Sequence, residues 1–262
     1  MKISIITITY NSADTLSDTI ESVLSQNHTD IEYIIVDGKS TDGTLDVIKS
    51  YGRYVTKYIS EPDKGLYDAL NKGISMATGD IIGFVHSDDV LAGKDVLQTI
   101  AETFETYQTD SVYGDLVYVD RLDPFKVIRY WRSGKYDRNK MARGWMPPHP
   151  TFYVRREVYQ RYGGFDTSYR ISSDYDFMLR MLHKHRITSV YIPMILVKMR
   201  VGGESNRSLR NIMRKIREDV RSMKSNDLNY IPGILNKNLS KVRQFIPPKT
   251  VSSQINYIPG TL

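Results

Sequence analysis

The sequence predicts an α/β fold, with a mostly parallel central sheet and helices on both faces. Three observations carry this reading. Strand-like runs alternate with helical patterns in the order β-α-β-α-β-α-β through residues 2–107, the signature of a parallel sheet crossed by helices. The apolar run at residues 81–85 ends abruptly in Ser87-Asp88-Asp89. Every strand of the series ends in a similar polar cluster: Thr9-Tyr10-Asn11, Asp37-Gly38-Lys39-Ser40 and Glu61-Pro62-Asp63-Lys64 precede it. The carboxyl ends of parallel strands share one edge, so these groups converge on one cleft, where open α/β sheets bind ligands.

The elements follow in order. Residues 2–9 are a β-branched strand. Asn11 or Ser12 caps a helix with apolar positions at Leu16, Ile20, Val23 and Leu24. Residues 31–36 form the second strand, and Ser40 or Thr41 opens a helix through Leu45, Val47 and Ile48. Residues 54–59 are the third strand, 66–76 a helix, and Gly79 starts the fourth strand. A helix follows over 94–107 and a strand over 112–119. Residues 120–146 form a long excursion of aromatics, Arg and Gly, and Pro147-Pro148-His149-Pro150 is a rigid extended stretch. Beyond it come a strand at 151–154, a helix at 173–185, a strand at 190–199 and a basic helix at 208–223. A short helix is expected at 234–245.

Composition narrows the function classes. The chain has 262 residues, 40% hydrophobic and 25% charged, which suits a soluble protein with a sizeable core. It has no cysteine, which excludes disulfides and thiolate chemistry. The first residues lack a signal-peptide pattern, and no apolar stretch is long enough to span a bilayer, so the expected location is the cytoplasm or the inner membrane surface. The net charge is +6, with the basic excess concentrated after Arg200. There is no GxGxxG fingerprint after the first strand, no GxxxxGK[ST] loop and no HExxH. The commonest nucleotide sites and zinc are therefore unsupported.

The acidic residues carry the chemistry. Two adjacent carboxylates at the end of a buried strand are costly without a cation, and hard oxygen ligands suit Mg²⁺ or Mn²⁺; a solvated turn or helix cap is the bland alternative. Asp37 can accept hydrogen bonds from a base or ribose, or simply cap a turn. Asp174 opens the helix at 173–185. A carboxylate there is either an N-terminal helix residue or a general base aimed into the cleft.

Taken together, the motifs resemble those of the inverting glycosyltransferases of family 2, which have the GT-A fold. The matching residues include 6–11, 36–44, 60–65, 67–73, Gly79-Asp80, Ser87-Asp88-Asp89 and 173–180, and the resemblance spans residues 3–205. It implies a donor site for a nucleoside-diphosphate sugar built from Thr9, Tyr10, Asn11, Asp37, Lys64, Asn71 and Asp88. Asp89 would ligate Mn²⁺ or Mg²⁺, and Asp174 would deprotonate the acceptor hydroxyl. Two departures mark this chain: Leu70 stands where many members have a donor-contacting Arg, so that contact is absent or moved to a residue such as Lys64, and Ser173 stands where many have Glu. Trp131, Tyr136, Trp145 and His149 in or beside the excursion are candidates for the acceptor side, with packing as the alternative, and Gly202-Gly203-Glu204-Ser205 for a loop over the diphosphate. The expected layout is a catalytic unit at 1–206, with a Rossmann-like nucleotide-binding half at 1–107 and an acceptor half at 108–206. A basic helical extension follows at 207–262.

The implied reaction transfers a sugar, by resemblance from a UDP-sugar, to a saccharide or lipid-linked saccharide in surface polysaccharide assembly. A nucleotidyltransferase and a non-catalytic nucleotide-sugar-binding or adaptor protein are the rival readings. The extension reads as a helix packed on the catalytic unit or as an interfacial helix on an anionic membrane. No nucleic-acid-binding motif occurs in it.

Overall fold

A computed structural model of the chain describes residues 1–202 and 209–229. Its first half is the expected alternation: β1 (Ile3–Thr9), α1 (Leu16–Leu24), β2 (Ile31–Asp37), α2 (Thr44–Ser50), β3 (Lys57–Ser60), α3 (Leu66–Met76) and β4 (Ile81–Phe84). There follow β5 (Asp89–Leu91), α4 (Val96–Tyr107), β6 (Ser111–Val119), β7 (Val127–Trp131) and α5 (Arg138–Ala142). The chain then forms β8 (Tyr153–Arg155), α6 (Arg156–Tyr162), α7 (Ser173–Met178), β9 (Ser189–Arg200) and α8 (Leu209–Ser225).

One sheet runs through the molecule in the order β3-β2-β1-β4-β8-β6-β9-β5, with β7 beside β6. The strands β3, β2, β1 and β4 are mutually parallel, in register Thr9 to Asp37 and Asp37 to Ser60. This aligns three polar strand ends. The second half is mixed: β8 is antiparallel to β4 and β6, β9 is parallel to β6, and β5 is antiparallel to β9. Pro193, which has no N–H for a ladder, lies where the β6–β9 register shifts.

Alternate residues of the strands face two cores. Ile3, Ile5 and Ile35 pack with α1, α2 and α4 on one face. Ile6, Ile8, Ile34 and Val36 pack with α3, α6 and α7 on the other. Gly73 sets the seating of α3: a Cβ there would lie 2.4 Å from Ile6. Any larger residue would push the helix off the sheet.

Several boundaries differ from the sequence reading. β3 starts at Lys57 because a turn takes the preceding residues, Tyr54 N–H donating to the Tyr51 carbonyl at 2.8 Å. Ser12 enters α1 through its carbonyl, which accepts from Thr15 and Leu16. α2 begins later than expected, with Asp42 accepting the Thr44 N–H at 2.9 Å. The stretch at Pro147 to Pro150 is not simply extended: His149–Thr151 forms a 3-10 turn. The helix expected at 173–185 is α7 followed by a π-helical turn, Leu179–Lys184. The helix expected at 234–245 lies outside the described residues.

Candidate active site

The polar strand ends interlock as the topology requires. Gly38 N–H donates to the Thr9 carbonyl at 2.9 Å, and Glu61 N–H to that of Asp37 at 3.0 Å. The Asp37 carboxylate is fully buried and accepts from Ser40 N–H (3.1 Å), the Ser60 hydroxyl (2.6 Å) and the Ser40 hydroxyl. Asn11 N–H donates to Ser40 Oγ, and Asn11 Oδ1 accepts from Thr41 N–H, each at 2.8 Å. Asp37 and Asn11 thus brace the two turns against each other. Asn11 (φ +50°) and Lys39 (φ +63°) are both left-handed, a sparsely populated conformation that clusters at functional sites. Tyr10 is 63% exposed, and the Thr9 hydroxyl is buried with no hydrogen-bond partner.

The turn after β4 joins this edge. Ser87 is held from below: its hydroxyl lies 2.9 Å from that of Ser12, and its carbonyl accepts from Thr15 at 2.8 Å. Asp88 and Asp89 then diverge. Asp88 is half-buried, and its carbonyl accepts from Arg200 at 3.0 Å. Arg200 also pairs with Asp18 on α1. Asp89 is fully buried at the start of β5, opposite Met199, and neither carboxylate oxygen has a hydrogen-bond partner. Burial and the neighbouring Asp88 push its carboxyl well above the usual range, against the opposing pull of Arg200.

Among the described residues no group of three His, Cys, Asp or Glu is placed to hold a metal. The turn offers two carboxylates, Asp88 and Asp89, oxygen donors of the kind a hard divalent ion takes. Asp89, the metal ligand expected from the sequence, is fully buried, and Asp88 beside it is half-buried.

Asp174 projects from the first turn of α7. The buried Tyr67 hydroxyl lies 3.2 Å from Asp174 Oδ1 and 2.5 Å from the Ile171 carbonyl, so one proton is shared between them. Burial and then the Asp174 charge raise the Tyr67 hydroxyl well above its ordinary value, which keeps it a donor. His86 and His149 lie beside this pair, their rings 5.9 Å apart. His149 is 9% exposed, stacks on Phe84 and has no partner at Nε2. Burial lowers it to about 4, with Asp174 opposing and His86 adding to the shift. Burial lowers His86 too, against Asp88 and Asp174. A single imidazole therefore feels both carboxylates across the cleft.

Other expected residues fare differently. The Asn71 amide donates to the Phe165 carbonyl at 2.8 Å and accepts its N–H at 2.9 Å, which ties α3 to the 163–169 loop. Trp145 is half-buried: its indole N–H donates to the Ser133 carbonyl at 3.1 Å, and its ring lies edge-on to Tyr113. The Tyr136 hydroxyl likewise ends on Leu182. Lys64 is exposed ahead of α3. Gly203-Glu204-Ser205 lies outside the described residues. Tyr67, His86, Arg200 and Glu218 were not singled out from sequence. Their roles come from partners distant in the chain, and only Tyr67 sat within a motif.

Three comparisons bear on this geometry. The model of the family described as Glycosyl transferase family 2 matches residues 4–163. A PGL/p-HBAD biosynthesis glycosyltransferase of Mycobacterium bovis is 30% identical over 208 residues, 78% of each chain. Among solved structures, Staphylococcus aureus TarS 1-349 in complex with UDP-GlcNAc gives a TM-score of 0.68 at 18% identity, covering 90% of this chain and 70% of that one. A Pyrobaculum calidifontis mannosyltransferase in complex with GDP-Man and Mn²⁺ gives 0.63 at 16%, covering 92% and 73%. The mixed sheet, its polar carboxyl edge and these likenesses agree, and the chain belongs to glycosyl transferase family 2.

Proposed function

We propose that the protein transfers a sugar from a nucleoside-diphosphate sugar to a hydroxyl of a saccharide acceptor carried on a lipid, with inversion at the anomeric carbon. The single observation that carries this is the polar carboxyl edge of the parallel strands, where the turns after Thr9 and Asp37 and the Ser87-Asp88 turn meet in a chain of glycosyl transferase family 2. Asp174 is the base in this reading, supported by its half-buried position and by the hydrogen bond that one of its oxygens accepts from Tyr67.

The rim formed by Thr9, Tyr10 and Asn11 receives the nucleoside, with Asp37 shaping the turn beneath. Tyr10 offers an exposed ring, and the Thr9 hydroxyl a hydrogen bond that no partner among the described residues satisfies. Asp88, with Asp89 behind it, would hold Mn²⁺ or Mg²⁺. Bound there, the ion supplies Lewis-acid stabilisation of charge on the departing diphosphate. Asp174 removes the proton as the acceptor oxygen attacks from the opposite face. His149 and Phe165 line the cleft between them and exclude water. UDP-sugars are the first donors to test, because a structural neighbour is in complex with UDP-GlcNAc. The lipid-linked acceptor and a surface-glycan setting follow from the family resemblance of the sequence motifs.

The test is a panel of UDP-, GDP- and dTDP-sugars with Mn²⁺ or Mg²⁺, scored for nucleoside diphosphate release. The product's anomeric configuration is then read by NMR. One donor should give metal-dependent release with the opposite configuration in the product. Retention of configuration, or no release from any donor, would overturn the reading.

A further inference from the structure

Helix α8 has a division of charge that the transfer reaction does not use. It carries Arg210, Arg214, Lys215, Arg217, Arg221 and Lys224 against Glu218 and Asp219. Both acids face the protein. Glu218 accepts the backbone N–H groups of Arg170, Ile171 and Ser172, and Asp219 is buried. The carboxyl-terminal half is anchored on the same side, with Ser222, Met223 and Asn226 buried. The outer surface of the helix is left cationic.

The amino-terminal half carries an uncovered apolar stripe. Ile212, Met213 and Ile216 are 40%, 56% and 40% exposed. Ile212 and Ile216 are one turn apart, so they share a face. Lys215 and Arg217 lie on either side of Ile216, and Arg210 is exposed nearby. Three large apolar side chains bordered by flexible cations, with the acids turned away, form an interfacial surface. The apolar groups enter the headgroup boundary while the cations reach anionic phosphates. No helix among the described residues is long and apolar enough to cross a membrane, so contact of this kind would be peripheral.

We propose that the amino-terminal half of α8 docks the protein on an anionic phospholipid surface through Ile212, Met213 and Ile216, with Arg210, Lys215 and Arg217 on the headgroups. Charge selects this occupant: a neutral protein groove would not need a cationic border, and a second copy would set like charges against each other. Docking here also places the cleft. At most about 30 Å of extended chain separates Arg200, bonded at the Asp88 turn, from Leu209. Glu218 further ties α8 to the backbone just before Asp174. A membrane-bound α8 therefore presents the cleft to acceptors held at the lipid surface.

The experiment uses the full chain with phosphatidylcholine vesicles, with and without phosphatidylglycerol, in a flotation assay. Wild type should float only with the anionic vesicles and be released by salt. Each of Arg210→Ala, Lys215→Ala and Arg217→Ala should weaken binding about fivefold. The triple change Ile212→Ser, Met213→Ser, Ile216→Ser should weaken it more than tenfold, with an unchanged melting temperature and unchanged donor hydrolysis in solution. That last readout separates failure of docking from failure of the glycosyltransferase reading. Wild type that ignores anionic vesicles, or a triple variant that floats like wild type, would overturn the proposal. So would a dimer, seen by light scattering, that the triple change abolishes, because it would identify a second copy as the occupant.

Discussion

The carboxylate of Glu218 accepts the backbone N–H of Ile171 at 2.8 Å, and Tyr67 donates to the carbonyl of that same residue. The peptide before α7 is therefore held from two sides, by α8 on its N–H edge and by α3 on its carbonyl edge. Tyr67 also touches Asp174, so both clamps bear on the candidate base.

Removing the outer clamp tests its reach. Glu218→Ala leaves three backbone donors without their charged acceptor, at a cost of about 1–3 kcal/mol. Amide exchange at Arg170, Ile171 and Ser172 should accelerate. Turnover should fall while the donor KM stays level, because Glu218 bonds the backbone before α7 and none of the strand-end turns. Glu218→Gln, which keeps one acceptor oxygen, should restore part of the turnover.

Asp174→Asn retains the shape of the side chain and the contact to Tyr67 but cannot take a proton. Transfer should fall by roughly 10²–10⁴-fold. Donor affinity, read by calorimetry, should be unchanged. Near-normal transfer to the true acceptor would remove Asp174 from the base role.

His149 gives a pH signature. Its folded value, about 4, lies below the ordinary 6.5. Below pH 6.5 the unfolded chain takes up a proton that the buried ring refuses, so stability falls between pH 6.5 and 4. The difference amounts to about 3 kcal/mol. His149→Phe retains stacking on Phe84 and Phe165 and should flatten that segment of the stability curve. Equal pH slopes for the two proteins would show that the ring protonates in place.

The parallel half of the fold and the polar edge were legible because they depend on local order. β-α alternation fixes which strand ends lie together, and that alone brought Thr9, Asp37 and Asp88 to one rim. Asp174 was readable as a carboxylate in a first helical turn. The rest depends on partners far along the chain. β5 is three residues long and exists because Asp89 finds Met199. Asn71 is bonded to Phe165, 94 positions away, and the Trp145 N–H to the Ser133 carbonyl, pairings that no motif announces. Hydrophobic periodicity carries no record of such pairings, and short elements such as β7, α5 and α6 are set by them.

The acidic pair provides the sharpest separation of roles. Asp88 is reachable from the cleft, so Asp88→Asn should abolish the Mn²⁺-dependent thermal shift given by the cognate nucleotide sugar. Asp89 differs because its carboxyl is raised in the folded state. As pH climbs past the ordinary carboxylate range, the unfolded chain releases a proton that the folded chain retains. Stability then falls toward neutral pH. Asp89→Asn removes the ionisable group and with it that loss. The metal-free variant should melt at a higher temperature than wild type at pH 7 and at the same temperature near pH 3. If Asp89→Asn melts lower at pH 7, the buried carboxylate is ionised and paired. The cleft-facing ligand would then be Asp89, as the sequence had it, with Asp88 on the ribose side.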